Sequence, residues 1–198
     1  FPYTTLFDLA LGGETAALNL LAGPPGSHVL EMLEQQDGIP CIPVWVQGLT
    51  RTITTVLEEP IHRQTAFFEP GPRVTPEDIA RMYQVFSEAL TKGRVVTLNG
   101  AVPDSTLQPL YRDLIQIAKE VGVITILDSY GPEFALGLDA APDMVKPNVV
   151  EAEGLLGLSL DNRAAQWQAV DAFHARGVDL VVFSLGAEGA LVSRAGER

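Results

Sequence analysis

The sequence predicts an α/β fold with a largely parallel sheet, and three observations lead to that prediction. The chain has 198 residues, which suits one domain with its own core and is short for two. Apolar residues make up 46% of it and charged residues 19%, a composition typical of a buried core rather than of disorder. From residue 94 onward, strand-like and helix-like segments alternate, as they do in units with parallel strands.

The first elements are a strand and a helix. Residues 16–21 are mostly apolar and predict a short strand, which the turn AGPPG follows. A helix is predicted over 27–36, because Val29, Leu30 and Leu33 recur there at helical spacing.

Three extended segments come next, at 42–47, 51–59 and about 64–68. Their Thr, Val and Ile content favours strands. Since polar and apolar residues alternate only loosely in the second segment, we expect a thin sheet that is exposed on one face. Together the segments predict a small β-sheet lid at about 42–68, attached to the α/β body.

A helix with a clear beginning and end follows the lid segments. Thr75 is a good N-cap, Pro76 fits the first helical position, and Asp78 suits the positive end of the helix. Gly93 is expected to end it. The residues predicted to face the core are Ile79, Met82, Phe86 and Leu90.

The second half of the chain alternates regularly. Strands are predicted at 94–98, 123–128, 144–146, 179–185 and 189–193. Helices are predicted at 107–121, shortly after 128, from 149 onward and at 163–176.

Charge and residue content exclude several classes of function. The net charge is −12, from 25 acidic and 13 basic residues, which disfavours nucleic acid and anionic membranes as partners but allows a small anionic substrate. The one cysteine, Cys41, allows no intrachain disulfide or thiolate metal site and is expected to be a small buried hydrophobe. No apolar run is long enough for a membrane span and no signal peptide pattern is visible, so we expect a cytoplasmic protein.

Both ends of the chain look cut. The first residues, FPYTTLF, resemble translated adapter sequence, so we expect residues 1–8 to be non-native and a single domain to span 9–198. The C-terminal residues SRAGER directly follow a strand-like segment, with no closing helix after it.

Four polar or glycine-containing stretches follow predicted strands, where ligands bind in open parallel sheets. They are LNGAVPDS at 98–105, LDSYG at 127–131, KPNVVE at 146–151 and SLGAEG at 184–189. The three histidines, His28, His62 and His174, lie outside these stretches and are interpreted as surface or helix-face residues.

Two of these stretches have both a structural and a functional interpretation. Asn148 and Glu151 either cap the helix that begins at Val149, or hold Mg²⁺ through water, or do both. Gly186 and Gly189 either form a tight turn between two strands or let the backbone approach an anion.

The ordered set of stretches resembles a known family. KPNVVEAE is similar to the K-P-N-x-x-E segment of the ribokinase-like (PfkB) carbohydrate kinases, and VVFSLGAEGALV is similar to their V-x-x-S-L-G-x-x-G-A segment. TRT at 50–52, EPGP at 69–72 and the run from Gly93 to Gly131 resemble the branch of 1-phosphofructokinases and tagatose-6-phosphate kinases. The resemblance implies a three-layer α/β/α fold with a small lid, incomplete at both ends of this chain.

The resemblance also implies an activity, cofactors and site residues. The activity is ATP-dependent phosphoryl transfer to a hydroxyl of a hexose phosphate, of the fructose-1-phosphate or tagatose-6-phosphate type, with Mg²⁺. Asn148 and Glu151 would organise Mg²⁺ and the nucleotide phosphates, and Ser184, Gly186 and Gly189 would line the phosphate path. The sugar phosphate would meet Arg51, on the lid, and Asn99 with Gly100. The family further implies a homodimer formed through the lid.

Departures from the family pattern keep two alternatives open. The family's G-G-x-G-x-N segment and its G-A-G-D segment, which carries the catalytic Asp, do not occur in this sequence, so we expect the chain by itself to be inactive. NGAVPD replaces the usual S-G-S-L-P-P, and Pro24 stands where the family usually has an acidic residue. The alternatives are a kinase of an unphosphorylated sugar or nucleoside, and a non-catalytic sugar-phosphate or nucleotide-binding homologue.

Overall fold

A computed structural model describes residues 12–61, 63–195 and 197. The expected non-native segment 1–8 and His62 lie outside the described residues. Two compact units make up the chain, residues 1–85 and 86–198. A single domain over 9–198 stays a prediction.

The first unit contains a parallel strand pair, an antiparallel hairpin and two helices. Its strands are β1 (Ala17–Leu21), β2 (Cys41–Trp45), β3 (Ile53–Glu58) and β4 (Arg63–Phe68). Its helices are α1 (Gly23–Glu31), continued by a π-helical turn (Met32–Gln36), and α2 (Pro76–Leu90), whose last residues belong to the second unit.

The helix α1 begins earlier than the sequence predicted, and the expected AGPPG turn is wrong. Ala22 is the N-cap, and the two prolines that follow Gly23 lie in the first turn of the helix. Proline is tolerated there because the N–H groups of the first turn have no partner within the helix in any case.

The expected three-stranded lid is also wrong. β2 pairs in parallel with β1, from Ala17 opposite Cys41 to Leu21 opposite Trp45, and its Val44 is 1% exposed. Of the three segments, the second and third form β3 and β4, which pair as an antiparallel hairpin that we call the lid hairpin. The composition of β2 favoured a strand, but strand composition does not identify the partner strand.

The lid hairpin is exposed on both faces, where the sequence predicted exposure on one. Ile53, Leu57 and Phe68 lie on one face by their register, and Val56 and Phe67 lie on the other. All five side chains are exposed, and Leu57 and Phe68 are 68% and 63% exposed. Apolar residues at neighbouring positions of a strand point to opposite faces, so loose alternation gives both faces an apolar surface.

The second unit is a five-stranded sheet with four helices. The strands are β5 (Val95–Asn99), β6 (Ile124–Asp128), β7 (Met144–Val145), β8 (Leu180–Ser184) and β9 (Ala190–Arg194). They lie in the order β5-β6-β7-β8-β9, with β5 to β8 parallel and β9 antiparallel to β8. The helices are α3 (Leu110–Glu120), α4 (Gly131–Leu138), α5 (Val149–Leu156) and α6 (Arg163–His174).

The core of the second unit lies between its sheet and its helices. Phe134 of α4 and Phe173 of α6 are almost fully buried, with ring centroids 6.0 Å apart. Phe183 of β8 is fully buried, and so is Leu127 of β6, against which Gly137 of α4 packs. This packing fixes the strand ends and the loops that follow them.

Two smaller expectations have different outcomes. Cys41 is half-buried rather than buried, and burial raises the pKa of its thiol against an opposing hydrogen bond from Asn19. His28 is exposed on α1, as expected, and His174 ends α6, where its ring nitrogens lie 2.8 Å from the Val178 carbonyl and 2.9 Å from the Ser193 hydroxyl.

In the described part of the chain, no helix is long and apolar enough to cross a membrane.

Candidate functional site

The carboxyl ends of four parallel strands meet at one edge of the second unit. Asn99 and Asp128 are opposite each other at the ends of β5 and β6. Ser184 ends β8, and an isolated parallel bridge pairs it with Asn148, just after β7. The structure therefore brings residues from all four of the predicted stretches to one edge of one sheet.

Asn148 and Glu151 form a complete capping box at the beginning of α5. Oδ1 of Asn148 accepts a hydrogen bond from the backbone N–H of Glu151 at 2.9 Å, and Oε2 of Glu151 accepts from the backbone N–H of Asn148 at 2.9 Å. The box satisfies two donors that a helix leaves free at its N-terminus. The capping interpretation is confirmed.

The capping box leaves one oxygen for another partner. Within the residues that the structure describes, Oε1 of Glu151 makes no hydrogen bond, and Glu151 is half-buried. The described residues contain no group of three or more His, Cys, Asp or Glu side chains that could hold a bare metal ion. Mg²⁺ commonly keeps several waters and takes one or two protein carboxylates together with substrate phosphates, so this donor set fits a hydrated Mg²⁺.

Ser184 is fixed against the same segment as Asn148. Its backbone N–H donates to the carbonyl of Pro147 at 2.9 Å, and its hydroxyl donates to the same oxygen at 3.3 Å. Because both bonds reach the residue before Asn148, the end of β8 and the beginning of α5 are held side by side.

The SLGAEG stretch is a tight turn with an open backbone. A single 3₁₀ turn spans Gly186–Glu188, and the Leu185 N–H donates to the Gly189 carbonyl at 2.8 Å. Gly189 has φ 90° and ψ −133°, a conformation that side chains rarely adopt. A Cβ at Gly186 or Gly189 would meet nothing within 4 Å, so the turn is open to an approaching group. The turn interpretation is confirmed, and the backbone stays accessible.

Asn99 and Gly100 begin the loop that follows β5. The Gly100 N–H donates to the carbonyl of Asp128 at 2.9 Å, and the Tyr111 hydroxyl donates to the carbonyl of Asn99 at 2.8 Å. Gly100 has φ 79°, so the chain turns sharply where the strand ends. The loop ends at Asp104, which caps the next turn, and the Thr106 backbone N–H lowers the pKa of that carboxyl.

A charged pair at this edge was not singled out from the sequence. Nζ of Lys146 lies 3.0 Å from Oδ2 of Asp128, between the ends of two adjacent strands. Asp128 belongs to the stretch LDSYG and is the last residue of β6. Lys146 belongs to the stretch KPNVVE and directly follows β7. Since β6 and β7 pair in parallel, those positions share an edge, and this signal was available in the sequence.

Arg51 belongs to the first unit. It is half-buried, and its neighbours are anchored on both sides: the Thr50 hydroxyl accepts from the Ala22 N–H at 2.8 Å, and the Thr52 N–H donates to Glu69 at 3.0 Å. In the described residues the Arg51 side chain makes no ion pair. Its backbone is therefore held while its guanidinium keeps its donors for another partner.

Three comparisons relate the chain to known proteins. A sequence profile described as pfkB family carbohydrate kinase matches residues 10–198. A protein named 1-phosphofructokinase from Rhodobacter capsulatus is 34% identical over 151 residues, covering 76% of this chain and 48% of the relative. A protein of the same name from Xanthomonas campestris pv. campestris is 33% identical over 184 residues, covering 91% of this chain and 58% of the relative.

A solved structure agrees with the fold. It is described as a possible 1-phosphofructokinase from Thermotoga maritima, and it matches with a TM-score of 0.85 at 22% identity, covering 96% of this chain and 60% of that one. The chain thus spans about half the length of the two curated relatives and 60% of the structural neighbour.

Proposed function

The chain belongs to the pfkB carbohydrate kinase family and has the ribokinase-like α/β fold that the sequence predicts, and from this premise we propose that its parent protein transfers the γ-phosphoryl group of ATP to a hydroxyl of a hexose phosphate. The observation that supports this most directly is the convergence of Asn148, Glu151 and Ser184 at the carboxyl ends of parallel strands. The name of two relatives, 1-phosphofructokinase, supports a substrate of the fructose-1-phosphate type.

In this proposal the capping box also serves the nucleotide. Glu151 and Asn148 hold Mg²⁺ through water, and bound Mg²⁺ neutralises charge on the phosphates during the transfer. The Lys146 ammonium at the same edge is paired with Asp128 at 3.0 Å, and an ammonium has three donors, so we assign it to the phosphates as well. In the open turn from Ser184 to Gly189, the N–H groups of Gly186 and Ala187 make no hydrogen bond to a described backbone carbonyl, and we assign them to phosphate oxygens.

Arg51 is assigned to the phosphate of the sugar substrate, and, in the other unit, Asn99 and Gly100 are assigned to its sugar. A guanidinium binds a phosphate through two parallel hydrogen bonds, and Arg51 keeps its donors for such a partner. The catalytic Asp and its anion hole belong to the family's G-A-G-D segment, which does not occur in this sequence. We therefore expect the 198-residue chain by itself to show no turnover. The proposal also includes a cytoplasmic location and a homodimer formed through the lid hairpin.

Substitution of Glu151 in the parent protein tests the double role of the capping box. Glu151→Gln keeps a carbonyl oxygen for the Asn148 N–H, so the melting temperature should stay within a degree or so while kcat at limiting Mg²⁺ falls by about 10- to 100-fold. The matched control is Glu153→Gln, two residues later in α5, where Oε1 accepts from the Leu160 N–H at 2.9 Å. Turnover is measured against Mg²⁺ concentration. Unchanged turnover in Glu151→Gln at every Mg²⁺ concentration would show that the box only caps the helix.

Substitution of Arg51 in the parent protein tests the class of substrate. Arg51→Ala should raise KM for the hexose phosphate by about 10-fold or more and leave KM for ATP unchanged, since it removes a charged phosphate contact. Arg63→Ala is the control, because Arg63 begins β4 of the same unit and is paired with Glu58 at 2.6 Å, whereas Arg51 lies two residues before β3. If Arg51→Ala leaves KM for the sugar substrate unchanged, the alternative of an unphosphorylated sugar or nucleoside is favoured.

A further inference from the structure

Two buried polar side chains beneath the loop after β5 have no role in the proposed function so far. Ser129 follows β6 and is 3% exposed, and Glu133 in the first turn of α4 is 6% exposed. Burying a carboxylate is unfavourable unless hydrogen bonds or nearby positive ends of dipoles compensate for it. The hydrogen-bond partners of Ser129 and Glu133 therefore indicate the roles of these two side chains.

Both side chains bind the backbone of the same loop. The Ser129 hydroxyl donates to the carbonyl of Gly100 at 2.7 Å. The Val102 N–H donates to Oε1 of Glu133 at 3.2 Å. With the bond from the Gly100 N–H to the Asp128 carbonyl, three hydrogen bonds tie residues 100–102 to the segment 128–133.

A comparison of two helices shows that Glu133 does not form a capping box with the N-cap of its own helix. Glu151 occupies the third position of α5 and turns back to the N–H of its own N-cap, Asn148. Glu133 occupies the same position of α4, but the N-cap there is Tyr130, which has no side-chain cap, and Glu133 bonds to the loop from the neighbouring strand. The positive end of α4 still stabilises the buried carboxylate. The sequence thus places a charged group where it holds a loop rather than where it caps a helix.

The loop that these residues hold is the one assigned to the sugar. It begins with Asn99 and Gly100, and the backbone of Gly100 is already committed to Asp128 and Ser129 through its N–H and its carbonyl. Without Glu133, the Val102 N–H would lose its partner and the middle of the loop would be fixed only from its two ends. A small displacement of a substrate-positioning group is enough to reduce catalysis by one to two orders of magnitude.

We propose that Glu133 and Ser129 are positioning residues that hold the loop from Gly100 to Asp104 in the conformation that receives the phosphorylated hexose. This inference rests on the proposed function for the identity of the ligand. The statement that Glu133 holds the loop does not depend on the proposed function.

The test compares three variants with a control in the parent protein. Glu133→Ala removes the acceptor of the Val102 N–H, Glu133→Gln keeps an acceptor oxygen of the same reach, and Ser129→Ala removes the donor to Gly100. The control is Asp143→Ala, because Oδ2 of Asp143 accepts from the Thr125 backbone N–H at 2.7 Å near the opposite ends of β6 and β7. Amide hydrogen exchange at Val102 and separate KM values for fructose-1-phosphate and ATP are measured.

The expected result separates loop positioning from general stability. Glu133→Ala should speed exchange at Val102 and raise KM for the hexose phosphate by about 10-fold, with KM for ATP unchanged. Glu133→Gln should restore both values nearly to wild type, Ser129→Ala should raise the same KM, and Asp143→Ala should lower the melting temperature without changing either KM. If Glu133→Ala does not fold, Glu133→Gln and Ser129→Ala still decide the outcome.

Other outcomes overturn the proposal or its premise separately. Unchanged exchange at Val102 in Glu133→Ala, or faster exchange with an unchanged KM for the hexose phosphate, overturns the positioning role. Equal increases in both KM values also overturn it, because they indicate a general structural defect. If the wild-type parent protein phosphorylates no hexose phosphate, the proposed function fails, and the exchange data alone decide whether Glu133 holds the loop.

Discussion

At the scale of single residues, the caps of two helices, α2 and α5, could be predicted from the sequence. Thr75 caps α2, as expected: its hydroxyl accepts from the Asp78 N–H at 3.2 Å, and the Asp78 carboxylate accepts from the Thr75 N–H at 3.0 Å. The same reciprocal pattern occurs at Asn148 and Glu151. The two partners of a capping box are three residues apart, so both can be identified within one short stretch of the sequence.

The Asp78 carboxylate makes the stability of the first unit depend on acid pH. The Thr75 backbone N–H lowers the pKa of Asp78, burial opposes it, and the Thr75 hydroxyl and Arg81 lower it further. The pKa of Asp78 is therefore lower in the folded chain than in the unfolded chain, where it is about 3.9. The ionised carboxylate stabilises the fold fully at pH values above that unfolded pKa, and this stabilisation is lost as the pH falls through the folded pKa.

Asp78→Asn should therefore destabilise the chain most at pH 6 and progressively less toward pH 3. Urea unfolding of wild type and variant across that range measures the difference. Glu77→Gln, in the same turn, controls for the change in net charge. A destabilisation by Asp78→Asn that is the same at pH 6 and pH 3 contradicts the prediction.

At the scale of elements, helix packing depends on contacts that the sequence does not display. Gly137 and Gly154 both lie inside short helices, α4 and α5, and look equivalent in the sequence. A Cβ at Gly137 would lie 2.7 Å from Cδ2 of the fully buried Leu127, whereas a Cβ at Gly154 would meet nothing within 4 Å. The first glycine lets α4 lie close against β6, and the second has no such role.

Alanine substitutions at the two glycines should therefore have opposite effects. Gly137→Ala should lower the free energy of unfolding by about 1–3 kcal/mol, because the added methyl overpacks the core. Gly154→Ala should raise it by up to about 1 kcal/mol, because alanine is the better helix former. Urea unfolding of both variants checks the pair. A stabilising Gly137→Ala would show that Leu127 yields without strain.

The pairing of strands was the main error at this scale. The segment at 42–47 has the composition of a strand and is one, but it pairs with β1 and not with the lid hairpin. β1 and β2 are separated by α1 and its π-helical turn, so their pairing is a non-local contact. Propensity and periodicity report local preference, whereas the choice of partner depends on which surfaces meet in three dimensions.

At the scale of the whole molecule, the lid hairpin is an exposed apolar surface that a partner could cover. Two short strands alone are marginally stable in water, and this pair carries exposed apolar side chains on both faces. Burial of these side chains against a second copy would remove them from water. This surface chemistry supports the homodimer included in the proposed function.

Charge placed on the lid hairpin should weaken that homodimer. Leu57→Glu should raise the dimer dissociation constant of the parent protein by about 10-fold or more, because a buried unpaired carboxylate is unfavourable. Sedimentation equilibrium measures the constant. Val121→Glu, at a residue 63% exposed in the second unit, is the control. A parent protein that stays monomeric at high concentration, or a dimer unaffected by Leu57→Glu, would contradict assembly through the hairpin.

The sequence by itself determined the elements of this protein and its family. The positions of most strands and helices, the caps at Thr75 and Asn148 and the turn at Gly186 to Gly189 follow from local propensity, and the ordered motifs identified the pfkB carbohydrate kinase family. These are properties of neighbouring residues, or of motifs in a fixed order, and both are visible in a linear chain.

Only the tertiary structure decided which distant residues meet. It paired β2 with β1, exposed both faces of the lid hairpin, and carried Glu133 of α4 to the loop after β5. Each of these contacts joins segments that lie apart in the sequence or depends on which faces are covered. Their geometry is set by the packing of whole elements against one another, and no local pattern in the sequence records it.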